Sequence, residues 1–373
     1  MKRDTKQEEP YSIIMKAFNT KKIERVMNLI PYVSEKVLAI SKTLAFCYKS
    51  GCIILRNKNT KELVSKKRIH SRVKSFFILE RLMRLEPRVA VALSEEVFLF
   101  SDHGKILKYD ARDNAVQEIH SFARGMNNPL SFCTREEDGK ATEIIYGEYI
   151  WNQNMDAVSI YKYDLRTWKE VYSFPANSIK HIHNVFYDCF ENCYIIVTGD
   201  DDHESAIWKA DVEFKNVEKI VGDSQKYRAC VVYPTEKGLF YATDTPLEQN
   251  WLYFLDKNNN LHEVHKMPGP CIYGRVFRDA LYLATSVEGD PTLGGWKYRL
   301  SNKLGRGVYD RYVHIYRCNK DGVVEHIAKL KKDIFPMWLF QFGNAQFPPA
   351  DDGLYISTQS TVEKGTYKVK FDE

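Results

Sequence analysis

From Leu44 to the C-terminus one unit recurs: an apolar run, a polar turn, a second run that often ends in Asp, another turn and a short third run. It reads "VFLFSDHGKILKYDARDNAVQEI", "YIIVTGDDDHESAIWKADVEFKNVEKI" and "LFYATDTPLEQNWLYFLDKNNNLHEV" at three of its occurrences. The second runs begin near Ile53, Ile106, Ser159, Ala206, Trp251, Val313 and Thr366, so successive units lie 53, 53, 47, 45, 62 and 53 residues apart. A period of roughly 40–50 residues is that of four-stranded propeller blades. A further apolar run precedes most hairpins, as in "PLSFCT", "HIHNVFYD", "YRACVVYP", "CIYGRVF" and "MWLFQFG", and supplies the fourth strand. Radial repetition lets many short antiparallel strands bury one face without long exposed edges. The pattern therefore predicts an all-β chain, a β-propeller of about seven four-stranded blades, or six if the first hairpin is irregular. The last unit, ending "GTYKVKFDE", lacks an outer strand, and an N-terminal segment is expected to complete it and close the ring.

The length, 373 residues, is two to three times that of a usual domain and suits one large closed fold. Twenty-three Tyr and 20 Phe favour strands and fill a large core. A net charge of +5, spread along the chain, argues against a nucleic-acid surface. No apolar run approaches the roughly 20 residues of a membrane span, and the N-terminus lacks the apolar stretch of a signal peptide. Eight cysteines are scattered singly, which predicts reduced thiols in a cytoplasmic protein. Upstream of the repeats, Ile13, Ile14, Ala17, Phe18, Ile23, Val26, Met27 and Ile30 fall near helical spacing. Residues 1–43 are thus expected to form a helical extension that packs on the propeller, or docks a partner or membrane surface, and residues 44–373 the propeller domain.

The segment "YKYDLRTWKEV", with Thr167-Trp168 following the strand-end Asp164, resembles the Asp-box propellers of the sialidase type. It departs from that family's Ser-x-Asp-x-Gly-x-Thr-Trp pattern: Leu165 stands where Gly belongs and the Asp is one place late. The other hairpins keep only a strand-end Asp, as at Asp110, Asp211 and Asp256. The resemblance implies the architecture and brings no catalytic residue with it.

Aligned units place Asp102, Glu148, Asp200 and Asp244, then Ser286 and Gln359, at the end of the first run. Equivalent positions share one face of a propeller, so the four acids are expected to form an arc at one mouth of the channel. In "KHIHNVFYD", read as an innermost strand, period-two alternation puts His181 and His183 on one face. Arg228, Tyr273, Arg275, Trp338 and Gln341 are read from other innermost strands, and Trp296 from the long insertion at residues 288–312. Aromatic platforms, Arg groups that grip carboxylates and paired acids suit a saccharide. The candidate catalytic residues are His181, His183, Glu148, Asp200 and Asp244; the candidate substrate-binding residues are Arg228, Arg275, Tyr273, Trp338 and Trp296. His181, His183 and Asp200 are also an admissible ligand set for a divalent metal. The expected function is action on an oligosaccharide or polysaccharide as a glycoside hydrolase or uronate lyase; the alternative is a non-catalytic propeller that binds a glycan or protein.

Overall fold

The computed structural model describes residues 29–122, 126–127, 129–137 and 140–371. They form seven four-stranded antiparallel blades. Blades 1 to 6 span residues 36–68, 90–121, 133–174, 181–222, 229–267 and 273–331. Each runs from an innermost to an outermost strand in sequence order. Blade 7 takes its three inner strands, Asn344–Gln346, Tyr355–Gln359 and Thr366–Val369, from the C-terminus, and its outer strand, Leu29–Val33, from the other end of the chain. Leu29 pairs with Val369 and Ile30 with Lys368, so the ring closes as expected.

The helical reading of residues 1–43 needs correction where it can be followed. Residues 1–28 lie outside the described residues, but Leu29–Val33 and Lys36–Ile40 are strands of blades 7 and 1. Tertiary pairing overrides the near-helical spacing that Ile30 continues. Among the described residues no helix is long and apolar enough to cross a membrane.

Each blade buries one tyrosine completely: Tyr48, Tyr109, Tyr146, Tyr194, Tyr241, Tyr282 and Tyr355. A fully buried large side chain stabilises the fold by about 1.5–3 kcal/mol only if its hydroxyl is satisfied. Tyr48 donates to Glu80 (2.6 Å), Tyr109 to Asn114 (2.9 Å) and Tyr241 to the Lys226 carbonyl (2.9 Å), while Tyr146 bonds His120 (2.6 Å).

The hairpins that close the outer half of blades 1 to 6 share one device. Asn57, Asp110, Asp164, Asp211, Asp256 and Asn319 each accept, through the side-chain oxygen, the backbone N–H two residues on. This Asx turn satisfies a turn amide that no ladder reaches. The strand-end Asp that resembled an Asp box is thus a turn-closing residue.

Because neighbours are antiparallel, the start of each innermost strand and the end of each second strand share a face, called here the upper face. The Asx turns lie on the lower one. A short helix, Phe77–Leu82, sits on the upper face between blades 1 and 2, and the sequence pattern missed it. Two buried charges anchor it: Glu80 accepts from Tyr48 and the Gly51 N–H, and Arg81 pairs with Asp333 (2.6 Å) and donates to Ser360 Oγ (2.8 Å). The chain then leaves Met83, Arg84, Glu86 and Arg88 around the channel mouth. The insertion at 288–312 also has structure, a helix at Gly295–Leu300 and a 3-10 turn at Pro291–Leu293.

Candidate active site

The innermost strand of blade 4, His181–Asp188, carries a β-bulge: Ile182 pairs with Thr198 and Asn184 with Val197, leaving His183 as the extra residue. Cys230 is the extra residue of a like bulge in blade 5. Bulges re-aim side chains out of the ladder. Here they help bring His183 and Cys230 to one buried cluster with His181, Asp200, Arg228 and Asp244.

His181 Nδ1 lies 3.1 Å from the Ile150 carbonyl and His183 Nδ1 2.9 Å from the Ala229 carbonyl. A carbonyl only accepts, so both Nδ1 atoms carry hydrogen and both Nε2 atoms face Asp200, at 3.6 and 3.4 Å. In the neutral ring that nitrogen is a lone pair aimed at a carboxylate, and His181 Nε2 is buried without a hydrogen-bond partner. A second-shell carbonyl on the far ring nitrogen is the usual support of a metal-ligating histidine. Two ligand atoms at bonds of about 2.1 Å stand about 3.0–3.4 Å apart for right and tetrahedral angles. The donor set fits a divalent cation. Gly199 keeps the space open, since a Cβ there would meet His183 Cε1 at 2.7 Å and Arg228 Cγ at 3.1 Å.

Arg228 Nη2 lies 2.9 Å from Asp200 Oδ1 and 3.9 Å from Asp244 Oδ2. Burial would raise the Asp200 carboxyl, but His181, His183 and Arg228 hold it well below its ordinary value. Arg228 is raised by Asp200 and Asp244 against the burial that opposes it. Burial and Asp244 push the Cys230 thiol well up, and it donates to Asp244 Oδ2 at 3.3 Å. Glu288, buried beside Asp244, is pushed up to about 8 by burial and that carboxylate, and accepts from Ser286. Its surroundings favour the protonated form.

Next to this cluster the channel mouth holds a cavity of about 440 Å³, within the range of small-ligand sites. Tyr149 joins the two, with its ring 4.6 Å from that of His181 and 6.2 Å from that of His183, and the Arg88 guanidinium lies over the Tyr149 ring at 5.7 Å. Burial, then Asp200, raises the Tyr149 phenol far above its ordinary value. Across the ring, in blade 1, Lys36 begins its innermost strand as His181 does in blade 4. Lys36 is buried; it donates to the Pro87 carbonyl (3.0 Å) and lies 3.7 Å from Glu86. Burial lowers its pKa, with Glu86 acting the other way. The cavity wall thus combines three cations, Lys36, Arg84 and Arg88, with Glu86 and Asp244. Lys36, Arg84 and Arg88 carry no signal in the sequence, since burial and placement, and no spacing, bring them to the cavity.

Of the predicted residues, the structure brings together His181, His183, Asp200, Arg228 and Asp244, and Tyr273 lines the cavity. Glu148 is in register but buried against its own hairpin, where it accepts the Ser159 N–H at 2.7 Å. Arg275 turns to the lower end of the channel, lining a second cavity of about 420 Å³ and donating to the Ala350 carbonyl (2.9 Å). Trp338 and Gln341 are not on an innermost strand, because blade 7 begins at Asn344; Gln341 reaches the cavity wall. Trp338 instead stacks on Arg299 at 4.6 Å, and Trp296, 70% exposed, lies over the same guanidinium at 5.1 Å.

No family model and no curated protein matches the sequence. Solved structures do match over nearly the whole chain. An oligogalacturonate lyase from Vibrio parahaemolyticus is 13% identical, with a TM-score of 0.57 over 93% of this chain and 92% of that one. A second oligogalacturonate lyase, solved in complex with manganese, is 11% identical, with a TM-score of 0.56 over 95% and 98%. The β-propeller domain of Cps50 (Swd1) from Myceliophteria thermophila is 10% identical, with a TM-score of 0.52 over 93% and 100%. At these identities the likeness is one of fold.

Proposed function

We propose that the protein is a carbohydrate-active propeller that cleaves a uronate-containing oligosaccharide by β-elimination at the upper mouth of its channel. The observation that carries this reading is the cavity wall, where Arg84, Arg88 and the buried Lys36 share the lining with Tyr149, whose ring lies tilted against that of His181 in the His181, His183 and Asp200 cluster. Arg84 and Arg88 bind the anionic sugar. Lys36, its amine favoured in the neutral form by burial, takes the proton from C5. The C4–C5 double bond forms as the C4–O4 bond breaks, and Tyr149, whose phenol keeps its proton, donates it to the departing oxygen. His181, His183 and Asp200 would hold a divalent ion, which when bound supplies a positive charge to polarise the uronate carboxylate.

Hydrolysis by the acidic arc is less well supported. A hydrolase needs two carboxylates that flank the scissile bond, whereas Asp200 and Asp244 converge on Arg228 and Glu148 is turned into its hairpin. The test is incubation with oligogalacturonate, other uronate oligosaccharides and neutral glycans, with and without chelator. New reducing ends accompanied by ultraviolet absorbance of a conjugated double bond are expected, from uronate substrates alone. Reducing ends without that absorbance would establish a hydrolase, and silence across the panel would favour a binding propeller.

A further inference from the structure

Asp102 in blade 2 stands at the register position that Asp200 holds in blade 4, and it too lies between two histidines. His70 Nε2 and His103 Nδ1 are each 3.2 Å from Asp102 Oδ1. His70 Nε2 is buried without a hydrogen-bond partner. His103 Nδ1 lies within hydrogen-bond reach of the same oxygen, so both rings present a nitrogen to the acid. The three ligand atoms all lie within 4.8 Å of one another. Both N···O separations fall between the edges of octahedral and tetrahedral metal sites, about 3.0 and 3.4 Å.

We infer that His70, Asp102 and His103 form a second site for a divalent transition ion, separate from the His181 cluster. Two imidazoles among three ligands select Zn²⁺ or Co²⁺ over Ca²⁺ and Mg²⁺, which take oxygen ligands. Asp102 is buried, His70 nearly so, and His103 has a side chain 45% exposed. That leaves an entry path and an open coordination position, as in three-ligand sites. Its place in the fold gives it a role. His70 and Met83 bracket the Phe77–Leu82 helix, and His103, Gly104, Met83 and Arg84 line the cavity. An ion here fastens the helical segment to the second blade and so fixes one wall of the upper mouth. The site shares no residue with the His181 cluster, so it stands whether or not the proposed elimination does.

The experiment is Co²⁺ titration of chelator-stripped protein by calorimetry and visible absorption, on wild type, H70N/H103N and H181N/H183N. His103 has a φ of 42°, a backbone conformation that Asn adopts readily, so the first double variant keeps its turn. H181N/H183N is expected to bind one Co²⁺ per chain, and the fourfold variant that adds H70N/H103N to it to bind none. Zn²⁺ should also slow tryptic cleavage at Arg72 and Lys74 in H181N/H183N, with no effect in H70N/H103N. Should either H70N/H103N or the half-exposed single variant H103Q fail to fold, the other reads the same loss. Absence of Co²⁺ binding in H181N/H183N, or its retention when H70N/H103N is added to that background, overturns the proposal.

Discussion

On the lower face, in the outer hairpins of the blades, Asp110, Asp164, Asp211 and Asp256 each take a backbone N–H two residues on. At the upper mouth the partners are side chains instead: His70 and the adjacent His103 at Asp102, His181, His183 and Arg228 at Asp200, and Cys230 at Asp244. The residue type and strand-end position are the same. What differs is that the lower carboxylates are satisfied within their own turn, whereas the upper ones are completed only when several blades close. An acid in register is therefore structural when its partners are local backbone, and available for chemistry when they are cationic or metal-ligating groups from elsewhere. The cavities agree with this division. The upper one is walled by Lys36, Arg84, Glu86 and Arg88, the lower by Leu38, Val91, Phe132, Val185, Phe347 and Pro349 beside Arg275.

The largest effect expected is at Lys36. Lys36→Met fills similar volume without an amine, and removing a general base costs about 10²–10⁴-fold in kcat/KM; a normal rate on uronate oligosaccharide would show that the proton goes elsewhere. Asp200→Asn follows, leaving Arg228 with a weakened counter-charge. Breaking a buried pair costs about 3–5 kcal/mol, and the 38% exposure of the Asp200 side chain puts the loss toward the lower figure. Urea unfolding measures it, and Asp211→Asn is the lower-face control, expected to shift the midpoint far less.

Glu288 sharpens the contrast through pH. Its carboxyl is raised from 4.5 to about 8, so the native protein keeps a proton that the unfolded chain loses. Stability from this group is full below about pH 4.5 and declines as pH rises toward 8. Relative to Glu288→Gln, wild type should lose on the order of a few kcal/mol between pH 5 and pH 8, at about 1.4 kcal/mol per unit. A gap in urea midpoint that stays constant with pH would mean that Glu288 is ionised in the native state.

The blades were legible because their hairpins carry a period of two and their turns carry Asx residues. The exception is instructive: "MWLFQFG" is apolar but lies in turns, with Met337 buried and Phe335 and Phe340 packed around Arg81, while the true innermost strand is Asn344–Gln346. That strand is polar because it faces the channel, so an apolar search passes over it. Alternation predicts that His181 and His183 share a face; in the structure the bulge at His183, which carries no sequence signal, brings it to the same carboxylate as His181. Their fixed tautomers carry none either, since Ile150 and Ala229 belong to neighbouring blades. Lys36 gave no signal because its character comes from burial, and the Phe77–Leu82 helix is too short to show a period.

The smallest effect tests the lower face alone. Asp256 accepts the backbone N–H groups of Asn258 and Asn260, both at 2.9 Å, and the Asn260 side chain at 3.0 Å. Asp256→Ala should cost about 1 kcal/mol in unfolding free energy, the worth of a typical net hydrogen bond, with kcat/KM unchanged. Asp256→Asn should recover most of it, because blades 1 and 6 close the same turn with Asn57 and Asn319. The charge on this face is then dispensable and only the acceptor oxygen matters. A loss of turnover in Asp256→Ala comparable to that of the upper-mouth variants would erase the distinction between the two ends, since a turn on the far side of the ring would be shaping the site as strongly as the residues that line it.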